Sequence, residues 1–303
     1  MSNPLKILLA TDYSDSAICA ERYAIEFAKN TGASLTLLHV YEIPFSFPSQ
    51  RPGYAKATEA LRKNELLHLE RHYNKLLKSL SIHTSEVNCE CLVLEGSIGR
   101  QIRKEAETLN MDIIIVGTHG AGGFRKLFLG SHTWDVIKKS NIPVLAIPKD
   151  AIFSSPKNIV FATDYREGEI PGIQFIERLA QQFNSAFTVL HVLNNEHADS
   201  QEKLTGKKFQ EQLQNEIAGS QFKLNTTYSD NLITALNDFC ETSKADWMAM
   251  SHTKPSFLEN LFLPSKSATR EMSFYTHIPL LAIPDFYHSE NPGKFSDKSQ
   301  LVP

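Results

Sequence analysis

Short apolar runs alternate along this chain with longer segments whose apolar residues recur every three or four positions. Residues 7–10 and 35–40 are nearly continuous apolar runs, and between them residues 16–30 carry a helical spacing that stops at Gly32. A polar-rich stretch over 58–80 reads as a long helix, 87–94 as a strand, 99–109 as a helix and 113–116 as a strand. A glycine-rich loop follows, then a helix from about Ser131 and a last strand over 144–147. Strands that are apolar throughout are covered on both faces, and strands separated by helices run parallel. The pattern predicts an open, doubly wound α/β layer.

The pattern then repeats. Ala10-Thr11-Asp12-Tyr13 recurs as Ala162-Thr163-Asp164-Tyr165, and Leu38-His39-Val40 as Leu190-His191-Val192, both 152 residues later. The run from Ile142 to Pro148 recurs from Ile278 to Pro284, an offset of 136, so the second copy is 16 residues shorter in its middle. A period of this length is a domain and not a solenoid unit. Domains over 1–150 and 151–285 are expected. Residues 149–157, with Ser154, Ser155 and Pro156, form a short polar connection, and 286–303 a mobile tail.

Composition narrows the function. Among 303 residues, 31 Lys and Arg against 34 Asp and Glu give a net charge of -3, which supplies no basic field for nucleic acid. No stretch approaches the roughly 18 consecutive apolar residues of a membrane span, and the first residues lack a signal-peptide pattern. A cytoplasmic protein with neither nucleic acid nor membrane as partner is expected. The four cysteines, Cys19, Cys89, Cys91 and Cys240, are too few for a disulfide scaffold and read as reduced thiols. Cys89 and Cys91 share one face of a strand; small apolar side chains on a buried face are favoured over two metal ligands.

In doubly wound sheets ligands bind beyond the carboxyl ends of the strands, where strand order reverses. That directs attention to Asp12, Val40 and the loop from Gly117 to Ser131. Glycines let backbone N–H groups approach an anion, and a helix starting near Gly130 and Ser131 points free N–H groups at the same place. The loop matches neither the Walker A pattern nor G-x-G-x-x-G.

Gly117-x2-Gly120-x9-Gly130-Ser131 after the fourth strand, Asp12 at the end of the first, and a closing Pro-Val-Leu-Ala-Ile-Pro together resemble the universal stress protein family in its tandem form. The resemblance covers about residues 4–148 and 156–284. It implies two tandem doubly wound five-stranded parallel-sheet domains of order 3-2-1-4-5, the adenine nucleotide alpha hydrolase-like arrangement, paired through their last strands. It also implies a stress-response regulatory protein holding ATP, or ADP or AMP, in the first domain, with Mg2+ accompanying the phosphates. Asp12 and the Val40 backbone would hold ribose and adenine; Gly117, Gly120, Gly130 and Ser131 would cradle the phosphates. Ala10, Thr11 and Val116 would line the pocket, and His119 is a further candidate in the loop. A homodimer, an unidentified protein partner, slow ATP hydrolysis and a nucleotide-independent scaffold stay open.

The second copy departs from the motif, because Gly117, Gly120 and Gly130 become Ser251, Lys254 and Pro264. Asp164 and Val192 persist, and this half is expected to be mainly a structural partner. His68 and His72, four apart, read as a solvated helix face. His39 and His191 read as hydrogen-bonded strand-end histidines, Ser14 to Ser16 as a helix cap, and the charged residues over 202–211 as a solvated face.

Overall fold

The computed structural model describes residues 4–43, 54–118, 131–193, 200–217, 222–252 and 278–284. Its first half runs β1 (Lys6–Thr11), α1 (Asp15–Thr31), β2 (Ser34–Tyr41), α2 (Tyr54–Leu80), β3 (Cys89–Glu95), α3 (Ile98–Thr108), β4 (Ile113–Gly117), α4 (Ser131–Lys139) and β5 (Val144–Ile147). The second half repeats this as β6 (Asn158–Ala162), α5 (Ile170–Phe183), β7 (Ala186–Leu193), α6 (Ser200–Glu216) and β8 (Phe222–Tyr228). It continues with α7 (Leu232–Thr242), β9 (Trp247–His252) and β10 (Leu280–Pro284).

All ten strands form one sheet in the order β3-β2-β1-β4-β5-β10-β9-β6-β7-β8. Within each half the strands are parallel in the expected order 3-2-1-4-5. The halves meet where β5 and β10 pair antiparallel, with Leu281 opposite Leu145. Antiparallel pairing of equivalent strands is the signature of a two-fold relation between like units. The tail expected over 286–303 lies outside the described residues.

Burial explains the strand pattern. Ile113, Ile114 and Ile115 of β4 are wholly buried, their side chains alternating between two cores that cover the two faces of the sheet. One core is packed by α1, α2, α5 and α6 and the other by α3, α4 and α7. Helix α1 starts where its sequence cap predicts, with the Ala17 N–H donating to Ser14 Oγ at 3.3 Å. It stops at Gly32, whose φ of 69° closes the helix in the left-handed region; Asn184 does the same for α5 at 54°.

The polar-connection reading of residues 149–157 needs correction. Phe153 turns inward from this segment and meets Tyr23 and Phe27 of α1 edge-on, with ring centroids 5.1 and 5.9 Å apart. Phe27 stacks on Trp247 of β9 at 5.8 Å, and Phe183 of α5 packs edge-on against both. Within this cluster the Trp247 Nε1–H donates to the Tyr23 hydroxyl at 2.6 Å. One buried hydrogen bond therefore ties a helix of the first half to a strand of the second. Trp247→Phe keeps an aromatic ring but leaves a buried hydroxyl without its donor. It should lower stability by about 1–3 kcal/mol in urea unfolding, with part of the loss recovered in the Tyr23→Phe, Trp247→Phe double variant.

Candidate functional site

The chain leaves β1 toward β2 on one side, while β4 lies on the other, so a crevice opens beyond the ends of β1 and β4. A tight turn shapes its floor. Tyr13 takes a φ of 63°, uncommon for an aromatic residue, and its N–H donates to Thr11 Oγ1 at 3.0 Å. Asp12 Oδ1 accepts the Ser14 N–H at 3.0 Å. The second half repeats the turn, with Tyr165 at 60° and its N–H on Thr163 Oγ1 at 2.9 Å. Each tyrosine ring packs on the histidine of the next strand, Tyr13 on His39 and Tyr165 on His191. The repeated tyrosines were a signal in the sequence whose geometric meaning only the turn reveals.

The crevice is a cavity of about 600 Å³, including its open mouth. Ala10, Thr11, Asp12, Val40, Val116 and Gly117 come together around it. His119, Gly120 and Gly130 lie outside the described residues; Ser131 opens α4, but its side chain also lies outside them. The cavity has further walls that the motif did not identify. Ile98 and Ile102, one turn apart on α3, and Val136 on α4 supply an apolar side, while Ser14, Ser16 and Ala17 contribute the first turn of α1. Ser14 also provides the helix cap that the sequence predicts.

Gly117 has a role beyond a phosphate loop. It ends β4, and a Cβ there would lie within 3.0 Å of the Ser16 carbonyl oxygen. The missing side chain lets the amino end of α1 seat directly on the end of β4. Thr133 Oγ1 donates to the Gly117 carbonyl at 3.0 Å, fixing α4 to the same point.

Beneath the cavity Thr11 Oγ1 donates to Glu21, a fully buried carboxylate of α1. The other carboxylate oxygen accepts from His72 Nε2 at 2.6 Å. His72 is therefore half-buried and paired, not part of a solvated face; His68 is exposed and packs edge-on against Tyr13. His39 and His191 donate through Nδ1 to the carbonyls of Thr11 and Thr163 at 2.9 and 2.7 Å, in keeping with their sequence reading. Cys89 and Cys91 are half-buried on the edge strand β3 and pack against the core on one face of the sheet, beside Leu35 and Leu37.

The second half has a smaller cavity, about 300 Å³, lined by Thr163, Asp164, Glu169, Val192, Leu236 and Ser251 among others. Here the threonine finds its carboxylate elsewhere. Thr163 Oγ1 donates at 2.6 Å to Glu169, which also accepts from the Asp164 N–H at 3.2 Å and Arg166 Nη2 at 2.9 Å. Glu169 stands 152 residues after Ala17, while the position equivalent to Glu21 is the buried Ile173. Ser251 occupies the strand position of Gly117. Its half starts α5 at Ile170, after a 3-10 turn over Glu167–Glu169, three positions later than α1 starts. The set-back helix accommodates the added Cβ and turns the Glu169 carboxyl inward.

The family model of the universal stress protein family matches residues 5–148. Universal stress protein MJ0577 of Methanocaldococcus jannaschii is 32% identical over 154 residues, which are 48% of this chain and 94% of that protein. Universal stress protein YxiE of Bacillus subtilis is 27% identical over 144 residues, 47% of this chain and 97% of that protein. The crystal structure of a universal stress protein from Archaeoglobus fulgidus superposes with a TM-score of 0.68 at 17% identity, covering 92% of this chain and 98% of that one. Its likeness is one of fold and extends across both halves. Among the described residues no helix is long and apolar enough to cross a membrane.

Burial pushes the Glu169 carboxyl from 4.5 up to about 7. A carboxyl whose folded pKa is raised holds its proton in the folded state after the unfolded chain has lost it. Its relative stabilisation is present below pH 4.5 and is lost as pH rises through about 7. Urea unfolding of the wild type should therefore show stability falling between pH 5 and pH 8, by up to about 3 kcal/mol from this group, and Glu169→Gln should flatten that fall.

Proposed function

Because the chain belongs to the universal stress protein family, we propose that its first domain, residues 1–150, is a regulatory module that holds ATP or a related adenine nucleotide. The second, 151–285, would serve as its built-in pairing partner. The observation that carries this reading is the cavity itself. Its floor, Ala10-Thr11-Asp12, and its walls at Val40, Val116 and Gly117 lie together at the reversal of strand order, where open α/β sheets take their ligands. Its lining combines apolar walls with a few polar groups, the makeup of a small-molecule site.

The chemistry assigns the parts. The Asp12 carboxylate accepts hydrogen bonds from ribose hydroxyls, and the Val40 backbone reads an adenine edge. The phosphates extend toward the amino end of α4, where free N–H groups favour an anion. Gly120, Gly130, Ser131 and His119 are the proposed loop contacts, and Mg2+ would be carried by the phosphates. Occupancy would alter the surface presented around the strand ends and α4, which is how a nucleotide would bias the binding of a protein partner.

Full-length protein purified without added nucleotide, denatured and chromatographed, should release adenine nucleotide, or bind one ATP per chain when titrated by calorimetry. Asp12→Ala, at an exposed position, should weaken ATP by about ten- to a hundredfold, the worth of a hydrogen bond to a charged group, with no change in circular dichroism. A folded wild-type protein that binds no adenine nucleotide would overturn the reading.

A further inference from the structure

We propose that Cys89 and Cys91 form a reversible oxidation site, at which a small neutral hydroperoxide converts the two thiols of one edge strand into a disulfide. Only residues of β3 and α2 take part, so the site stands or falls apart from the nucleotide reading.

The two cysteines are two residues apart on β3, so their side chains leave the same face of the sheet, with Leu35 and Leu37 of β2 as their register partners. Helix α2 covers that face, with Tyr73 beside Cys89 and Glu70 near Cys91. Both cysteines are only half-buried, so the cover is incomplete and a small molecule can reach them. Strand β3 ends the sheet, and among the described residues it pairs with β2 alone.

That edge position decides what kind of bond can close. Cα atoms two apart on a strand are roughly 6.5 Å apart, near the upper end of what a disulfide spans. Closing the bond therefore draws the strand into a local bend. A central strand, hydrogen-bonded on both sides, would resist this; an edge strand gives up bonds on one side only. A disulfide that holds its strand bent is strained, and strained disulfides are the readily reduced, regulatory kind.

The two thiols are not equivalent. A hydrogen bond from Cys89 holds the Cys91 thiol below the ordinary cysteine range, against the opposing effect of burial, while the same interaction and deeper burial push Cys89 up. Cys91 is thus the thiolate that attacks, and Cys89 the thiol that follows. The remaining cysteines differ from Cys91. Burial raises Cys19, whose Sγ donates to the Pro148 and Ala151 carbonyls at 3.4 and 3.2 Å, and pushes Cys240 up to about 12. Acidic neighbours select the oxidant: Glu70 and Glu90 raise the cost of further negative charge at Cys91, which disfavours an anionic oxidant and leaves a neutral one.

The chemistry balances with the hydroperoxide as the only co-reactant. Cys91 sulfur attacks one peroxide oxygen, the S–O bond forms as the O–O bond breaks, and the departing oxygen takes a proton from water to leave as an alcohol or as water. Cys89 then attacks the Cys91 sulfur; the S–S bond forms, the S–O bond breaks, and hydroxide leaves as water with the Cys89 proton. Two electrons pass from the thiol pair to the hydroperoxide.

The test treats full-length protein with one equivalent of hydrogen peroxide and digests it with trypsin. Peptide 79–100 holds Cys89 and Cys91 and no other cysteine. It should become lighter by two hydrogens and be restored by dithiothreitol, with Cys19 and Cys240 still free. Cys89→Ser should stop the reaction at a Cys91 sulfenic acid, trapped by dimedone, while Cys91→Ser should slow peroxide consumption by at least about tenfold, both with unchanged circular dichroism. An unchanged peptide, a disulfide between two chains, a sulfinic acid in the wild type, or peroxide consumed by the Cys91→Ser protein at the wild-type rate would each overturn the proposal.

Discussion

Strands β5 and β10 are the constraint on which the architecture turns. Val144 to Ile147 and Leu280 to Ile283 have no exposed surface, so either strand, in a half standing alone, would be a wholly apolar edge with a row of unpaired backbone groups. Such an edge invites association with whatever strand is available. Here each covers the other. The aromatic cluster of Tyr23, Phe27, Phe153, Phe183 and Trp247 then closes one face of the seam, and the connection between the halves contributes one of its rings. A chain that carries its own pairing strand removes the concentration dependence that a dimer of single domains would have.

Within this symmetrical frame a small local change separates the two sites. A glycine at the end of β4 lets α1 begin at once and seats its first turn against the strand; a serine at the equivalent position of β9 goes with a later helix start and an intervening 3-10 turn. Both halves satisfy the same threonine with a carboxylate, but from different positions. In the first, Glu21 lies beneath the cavity and reaches His72; in the second, Glu169 lies in the cavity wall. The duplicated threonine keeps its hydrogen bond, and the cavity around it changes character.

The duplicated fold was legible because continuous apolar strands and helix-period segments are local signals, and because the copies preserve short runs such as Ala-Thr-Asp-Tyr. Strand order within each half followed from the resemblance of the spaced glycines and closing strand to a known family. The candidate cavity was legible only where residues sit at strand ends. Ile98 and Val136 line it from helices whose approach is set by tertiary packing, and Glu21 with His72 couples positions 51 residues apart that share no motif. Phe153 was hidden for a related reason: a polar stretch with serines and proline reads as a connector, and one inward aromatic among them has no period to betray it. Glu169 carries no motif or period in the sequence, because its burial depends on a turn that the first copy lacks.

The antiparallel seam has a directional consequence. Every strand within a half points the same way, and the two halves point opposite ways, so the crevices beyond the ends of β1 and β6 open at opposite rims of the sheet. A flat partner surface laid against one rim would meet one crevice and leave the other facing away. The molecule is thus two-ended: its crevices face away from each other, and the strands that join them run past the buried tyrosine and tryptophan at the midpoint.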